Sequence, residues 1–243
     1  MNSTPATRQG RATKERIVRA AAELIAERGA AGTSLDDVIA ATGASKSQLY
    51  HYFEDKRGLV EAVVDHQCAA VLGLQAQALA AVSDWEDLER WADTMVTIVQ
   101  EHGAHGGCPI GTLAAALSDV DERLRTRLSE AFQAWRDAIR GALLRLAENG
   151  LIAEDADLDA LTTVVLSAVQ GGLLLTKTSR DVGQLRTVLN GVIAQLQANA
   201  PKGRARDRSA APSSRRAPGP RKAARAAPAG SSPSPLTSPL SQL

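Results

Sequence analysis

TSLDDVIAATGASKSQLYHYFEDKRGLV, residues 33–60, writes two helix starts and one helix stop into 28 positions. Ser34 stands three residues before Asp37, and Ser45 three before Gln48. In each pair the hydroxyl accepts from a first-turn amide while the later side chain reaches back to the cap, which is the reciprocal pattern of a capping box. Leu35, Val38 and Ile39 recur at helical spacing before Thr42-Gly43-Ala44 interrupts them. Gly43 is free to take the left-handed conformation that ends a helix at little steric cost. The segment therefore predicts two short helices joined by a three-residue turn. Such a pair is either a hairpin inside a helical bundle or the unit that lays its second helix in the major groove of DNA.

The flanking residues favour the groove. Among the first twenty residues, Arg8, Arg11, Lys14, Arg16 and Arg19 stand against Glu15 alone, a charge that attracts phosphate. The chain holds seven aromatic residues, and Tyr50, Tyr52 and Phe53 fall in one turn at the end of the second short helix. Leu49 and Phe53 are expected to plug a small core. A tyrosine at this place is expected to bury its ring and offer its hydroxyl to a phosphate oxygen.

Thr33-Ser34, Gly43, Ser45, the run Leu49-Tyr50-His51-Tyr52-Phe53 and Lys56 follow an amphipathic stretch, residues 13 to 28, that ends at Gly29. Together they resemble the DNA-binding domain of the TetR family of transcriptional regulators over about residues 11 to 60. The resemblance implies that the helix after Ser45 is the recognition helix. It places Lys46, Ser47 and Gln48 where base edges and nearby backbone are contacted, and Tyr50 and Tyr52 where phosphates are contacted. Ser45 and His51 join this set, Lys56 stands where a further phosphate is held, and Ser34 caps the preceding helix and faces the DNA backbone. Asp36 and Asp37 depart from the pattern, because many relatives place a base-contacting Arg near there; no base contact is expected from Asp36.

Composition agrees with an all-α chain: 44% of its 243 residues are hydrophobic but only 3% aromatic. No apolar run reaches the roughly 18 to 20 residues of a membrane span, and no apolar segment of a signal peptide follows the basic start. A cytoplasmic protein without a membrane partner is expected. Two cysteines, Cys68 and Cys108, make no disulfide framework.

The net charge of +1 hides a division into three. Residues 1–57 carry a net +2 and form the helix-turn-helix domain, residues 58–200 carry −9, and residues 201–243 carry +8 with eight of the ten prolines. The last segment is Ala-, Ser-, Gly- and Arg-rich and is expected to be disordered. Two readings of it stand side by side: nonspecific affinity for DNA, or a solvated appendage.

The acidic middle reads as helices. Asp55 caps a long one from 56 to about 82, and Ser83 with Glu86 reads as a box opening another to about 101. After the loop 102–108, Pro109 begins a short apolar helix to about 117. Asp119 with Glu122 reads as the start of a helix to 148, stopped by Asn149-Gly150, and segments 158–178 and 182–199 complete nine helices. GGCPIGTLAAALSD resembles a motif of the subgroup with LmrA/YxaF-type C-terminal domains. This middle part is expected to bind an effector and to dimerise.

For the dimer, Leu161, Val165, Ala168, Gly172 and Leu175 fall on one helical face, and Leu185, Val188, Leu189, Val192 and Leu196 supply another. They predict a four-helix bundle about a two-fold axis, unless the same stripes close a monomer core. A dimer suits a reader that contacts only half of a palindromic operator. For the effector, Trp91, Met95, Ile98, Leu113, Leu117, Trp135, Ile139 and Leu174 are the candidate lining of an apolar cavity for a small hydrophobic compound; plain core is the alternative for each. The resemblance implies that effector binding moves the fourth helix and releases the operator.

His102, His105 and Cys108 are spaced like ligands, but no fourth ligand stands near and the linker is Gly-rich, so no metal or other cofactor is expected. Cys108 just ahead of a helix start is expected either to have a lowered pKa and sense oxidants or to be a small packed residue. No nucleophile elbow, phosphate-cradling loop or acid–base pair marks an enzyme. The competing class is an architectural nucleic-acid protein that binds through its basic tail.

Overall fold

The computed structural model describes residues 7–201. The tail from 202 onward, with the expectation of disorder placed on it, lies outside the described residues, as do residues 1–6. Among the described residues there are nine helices and no strand, as the composition implied.

Helix α1 (Arg8–Arg28) starts five residues earlier than its apolar periodicity suggests, because Thr7 caps it by accepting from the Gly10 amide at 3.0 Å. Both capping boxes of the 33–60 segment form, opening α2 (Leu35–Thr42) and α3 (Lys46–Tyr52). Gly43 takes φ 64° between them, and its amide donates to Ile39. Ile17, Ala21, Val38, Leu49 and Phe53 close this small three-helix head at or near zero exposure. Burying a side chain of this size stabilises a fold by about 1.5–3 kcal/mol, which lets so short a helix as α3 stand.

Asp55 caps α4 (Lys56–Ala80) by accepting from the Gly58 amide at 2.8 Å. This helix joins the head to the body, packing on α1 at one end and along α7 (Glu122–Glu148) and α6 (Pro109–Leu117) beyond it. Helix α5 (Trp85–Glu101) packs on α9 (Gly183–Ala198), and α8 (Leu158–Ser179) lies between α7 and α9.

Two starts differ from expectation. Helix α5 is capped by Asp84, one residue after Ser83, and it is Asp87 that reaches back to the Ser83 amide at 2.8 Å. Helix α7 is capped by Asp121 rather than Asp119, its carboxylate accepting from the amides of Arg123 and Leu124.

Helix α8 also corrects the expectation that no stretch is apolar enough for a membrane: by length and composition it is long and apolar enough to cross one. Within the fold, one of its faces is covered by α7 and α9 and the other is open. Gly172 permits the α8–α9 approach, since a Cβ there would stand 2.9 Å from Leu185 Cδ1.

Candidate nucleic-acid interface and effector cavity

The two capping boxes and the buried Leu49 and Phe53 fix which side of α3 turns outward. Lys46, Ser47, Gln48, Tyr50 and His51 are exposed on it, which is the surface the groove reading requires. Tyr52 is different: only 8% exposed, it packs edge-on against Phe53 with ring centres 6.3 Å apart, so its ring belongs to the core. Tyr50, 47% exposed, is the tyrosine that faces solvent. Lys14 lies over the Phe53 ring at 5.6 Å, tying α1 to the end of α3.

Several expected contact residues already have partners. Gln48 Oε1 accepts from the Ser45 amide at 3.0 Å, and Ser45 Oγ accepts from the Gln48 amide at 3.1 Å. The Ser34 hydroxyl donates to Asp37 at 2.5 Å while accepting from the Asp37 amide. Hydrogen bonds donated by the Ser34 hydroxyl and by the Ser34 amide, the latter at 2.8 Å, with Arg28 3.8 Å away, hold the Asp37 carboxyl below the usual carboxylate range. Lys46 lies 3.9 Å from Asp36, so the acidic departure in α2 partly screens a lysine of the reader.

Lys56 donates to the Ala31 carbonyl at 3.3 Å, bracing the α1–α2 turn against the start of α4. An ammonium has three donors, so this bond leaves room for a phosphate as well. A contact across 25 residues has no local sequence signal.

The eight residues expected to line one apolar cavity do not converge. Met95, Ile98 and Trp135 line a cavity of about 280 Å³ between α4, α5, α7, α8 and the α5–α6 loop. Trp91 and Ile139 border a gap of only about 10 Å³, room for little more than a water, and are core. Leu113 lines a gap of about 70 Å³ against α1 and α4, and Leu117 is buried in the core. Leu174 is 63% exposed and borders an open groove with Cys108, Gln170 and Lys177. Sequence reasoning missed Gln75, His102 and His105 at the 280 Å³ cavity. Gln75 carried no signal, being one polar residue in an apolar helix; buried, its Oε1 accepts from Trp91 Nε1 at 2.9 Å.

Cys108 caps α6, its sulfur accepting from the Gly111 amide at 3.4 Å, yet burial pushes the thiol up. Of the two readings of Cys108, this goes against the lowered pKa and with the small packed residue, because desolvation outweighs the amide bonds. Cys68 is likewise pushed up to about 11, mainly by burial and then by Asp65. His102 and His105 each place Nδ1 within 2.8 Å of a backbone carbonyl, of Ile98 and Gly103 respectively. Among the described residues no group of three His, Cys, Asp or Glu is placed to hold a metal.

The residues expected at a dimer surface divide in two. Leu161, Val165, Gly172, Leu185, Leu189, Val192 and Leu196 are buried within the single chain, closing α8 on α9 and α7. Ala168 and Val188 are half-buried. Leu175 is 51% exposed and stands with Val164, Ser167, Gly171 and Leu174 on the open face of α8.

Residues 17–63 match the family described as bacterial regulatory proteins, tetR family, and residues 85–190 match the C-terminal domain of LmrA/YxaF-like transcriptional regulators. An HTH-type transcriptional regulator from the lacX 3' region of Lactococcus lactis is 30% identical over 73% of this chain and 89% of its own length. The HTH-type transcriptional regulator YxaF of Bacillus subtilis is 28% identical over 70% of this chain and 87% of its own. The crystal structure of a TetR transcriptional regulator from Chloroflexus aurantiacus superposes with a TM-score of 0.68 at 27% identity, covering 80% of this chain and 98% of that one. A capped, outward-facing α3 on a nine-helix frame, shared with these relatives over most of their length, shows that the chain belongs to the TetR family and is a DNA-binding transcriptional regulator rather than an enzyme.

Proposed function

We propose that the chain represses transcription by binding a palindromic operator as a homodimer in the cytoplasm and lets go when a small apolar effector enters the body. The observation that carries this reading is the exposed set Lys46, Ser47 and Gln48 held on α3 by the buried Leu49 and Phe53. Lys46 supplies phosphate or guanine contact, Ser47 and Gln48 meet base edges, and Tyr50, His51 and Lys56 border the backbone. Ser34 and Ser45, whose hydroxyls are engaged in caps, set the angle of the reader. The open stripe on α8 is the surface on which a second copy brings two readers to the half-site spacing.

A route from effector to reader runs through the loop between α5 and α6. Gly106 and Pro109 line the 280 Å³ cavity on one side. On the other they border, together with Ala22, Ile25 and Ala26 of α1 and Val63 of α4, the gap of about 70 Å³. A ligand that displaces this loop therefore pushes on the head, and it releases DNA only if it binds better to the displaced arrangement.

Footprinting the full chain on the DNA flanking its own gene tests the reading. Two protected half-sites about 34–36 Å apart are expected. Deleting residues 201–243 leaves that footprint in place, whereas a protein that binds chiefly through its basic tail loses nearly all affinity.

A further inference from the structure

A groove of about 450 Å³ opens between α6, α7, α8 and the α5–α6 loop, a volume within the range of ordinary small-molecule sites, roughly 300–1,000 Å³. Two glycines shape it. A Cβ on Gly111 would stand 2.6 Å from Gln170 Oε1, so Gln170 passes close against α6. A Cβ on Gly107, which has φ 69°, would stand 3.3 Å from Lys177 Cδ, so the lysine stem lies along the loop backbone. A glycine inside a helix weakens it relative to alanine, and at Gly111 that loss accompanies the close passage of a side chain that lines the groove. Ala114, Ala115, Phe132 and Leu174 give the groove an apolar wall.

Most of the donors along this groove are already engaged. The Gly107 amide donates to the His105 carbonyl at 3.0 Å, the Gly111 amide to Cys108 Sγ at 3.4 Å, and the Thr112 hydroxyl to the Gly106 carbonyl at 3.4 Å. Gln170 Nε2 is covered by protein and out of a ligand's reach. Lys177 is different: it is half-buried, has no hydrogen-bond or ion-pair partner among the described residues, and no Asp or Glu lines the groove beside it. Asp181, four residues further on, already accepts from the Gly183 amide and the Gln184 side chain. A half-buried ammonium without a countercharge, set beside an apolar wall, attracts an anion with an apolar body. We propose that this groove binds a small amphiphile carrying one carboxylate, its head paired with Lys177 and its hydrocarbon against Phe132 and Leu174. The site is separate from the 280 Å³ cavity, although Gly107 and Cys108 line both, and it stands whether or not that cavity holds an effector.

Probes with the same hydrocarbon length separate charge from apolar burial: octanoate, 1-octanol and n-octylamine, the last a cation at neutral pH. Leu174 is shared with the open stripe of α8, so the titration is made on the full chain in its own state of association. Calorimetry is expected to give roughly three- to tenfold tighter binding of octanoate than of octanol, the range of one charge-assisted pair at a half-buried site, with octylamine weakest. Lys177→Met keeps the stem against Gly107 and removes the charge. It is expected to bring octanoate down to the affinity of octanol and to leave octanol unchanged. Ala115→Glu, at an exposed position of the groove wall, is expected to weaken octanoate several-fold and to spare octanol. Failure of octanoate to bind, octanoate no tighter than octanol, or octylamine as tight as octanoate overturns the proposal on the unmodified protein alone. A preference that survives Lys177→Met overturns it too, since the carboxylate then sits on other cations, such as those of the DNA-reading head. Should Lys177→Met fail to fold, octanoate affinity unchanged in Ala115→Glu has the same force.

Discussion

Gln48 stands where a base is to be read and also closes the capping box that starts the reader helix. With Oε1 accepting from the Ser45 amide, the two-pronged pairing of an amide with adenine is not open in this geometry, and what Gln48 presents outward is a donor. Gln48→Glu separates the two roles. The carboxylate still accepts from the Ser45 amide and sits favourably in the first turn of a helix, but it sets a negative charge against the DNA. The expected outcome is an unchanged or slightly higher melting temperature with at least about tenfold weaker operator binding, a loss of 1.4 kcal/mol or more. Unfolding by circular dichroism and DNA binding by anisotropy read the two halves; a fall in both, or in neither, refutes the division of labour. The capping role of Gln48 was legible because the box spans four consecutive residues. The bracing role of Lys56 was not, because its partner Ala31 is remote in sequence and is recognised only through a backbone carbonyl.

At the scale of helices, the ends were harder to read than the bodies, and Asp121 shows why. Asp119 and Asp121 both precede α7, and local spacing favours the first; the fold uses the second, which also pairs with Arg57 of α4 at 2.9 Å. Tertiary contact between the start of α4 and the start of α7 thus coincides with the cap, and sequence spacing carries no trace of that partner. The amides of Leu124 and Arg123 and the Arg57 guanidinium hold the Asp121 carboxyl below its usual range, the Leu124 amide contributing most. A carboxyl depressed in the folded state adds stability above its unfolded pKa of about 3.9, and that stability disappears as pH falls through the folded value. Asp37, Asp87 and Glu122 are shifted the same way. Asp121→Asn is therefore expected to melt below the parent at neutral pH, with the two curves of melting temperature against pH converging in acid. Parallel curves across the acid range rule out the linkage.

At the scale of the fold, the order of the nine helices among the described residues was readable from caps, breakers and apolar spacing, but the role of each apolar face was not. Periodicity tells which residues share a face of α8; it does not tell which of two apolar faces the chain itself covers. Leu161 and Val165 turned out to serve α8's packing within the subunit, while Val164, Leu174 and Leu175 were left outside. Neighbouring glycines mark the division: a Cβ on Gly172 would run into Leu185, whereas one on Gly171 would meet nothing within 4 Å. Gly171→Arg is thus expected to leave the subunit folded, with a helix-propensity gain of up to about 1 kcal/mol over glycine. It also places a charge in the middle of the proposed contact between copies, where desolvating it opposes association. Sedimentation velocity is expected to show a folded monomer, and operator binding is expected to weaken sharply because each half-site must then be held independently. Gly172→Arg is expected instead to part α8 from α9 and lower the melting temperature of the subunit. A Gly171→Arg protein that remains a dimer with undiminished operator affinity places the two-fold contact on another surface and leaves the exposed apolar stripe of α8 without its proposed partner.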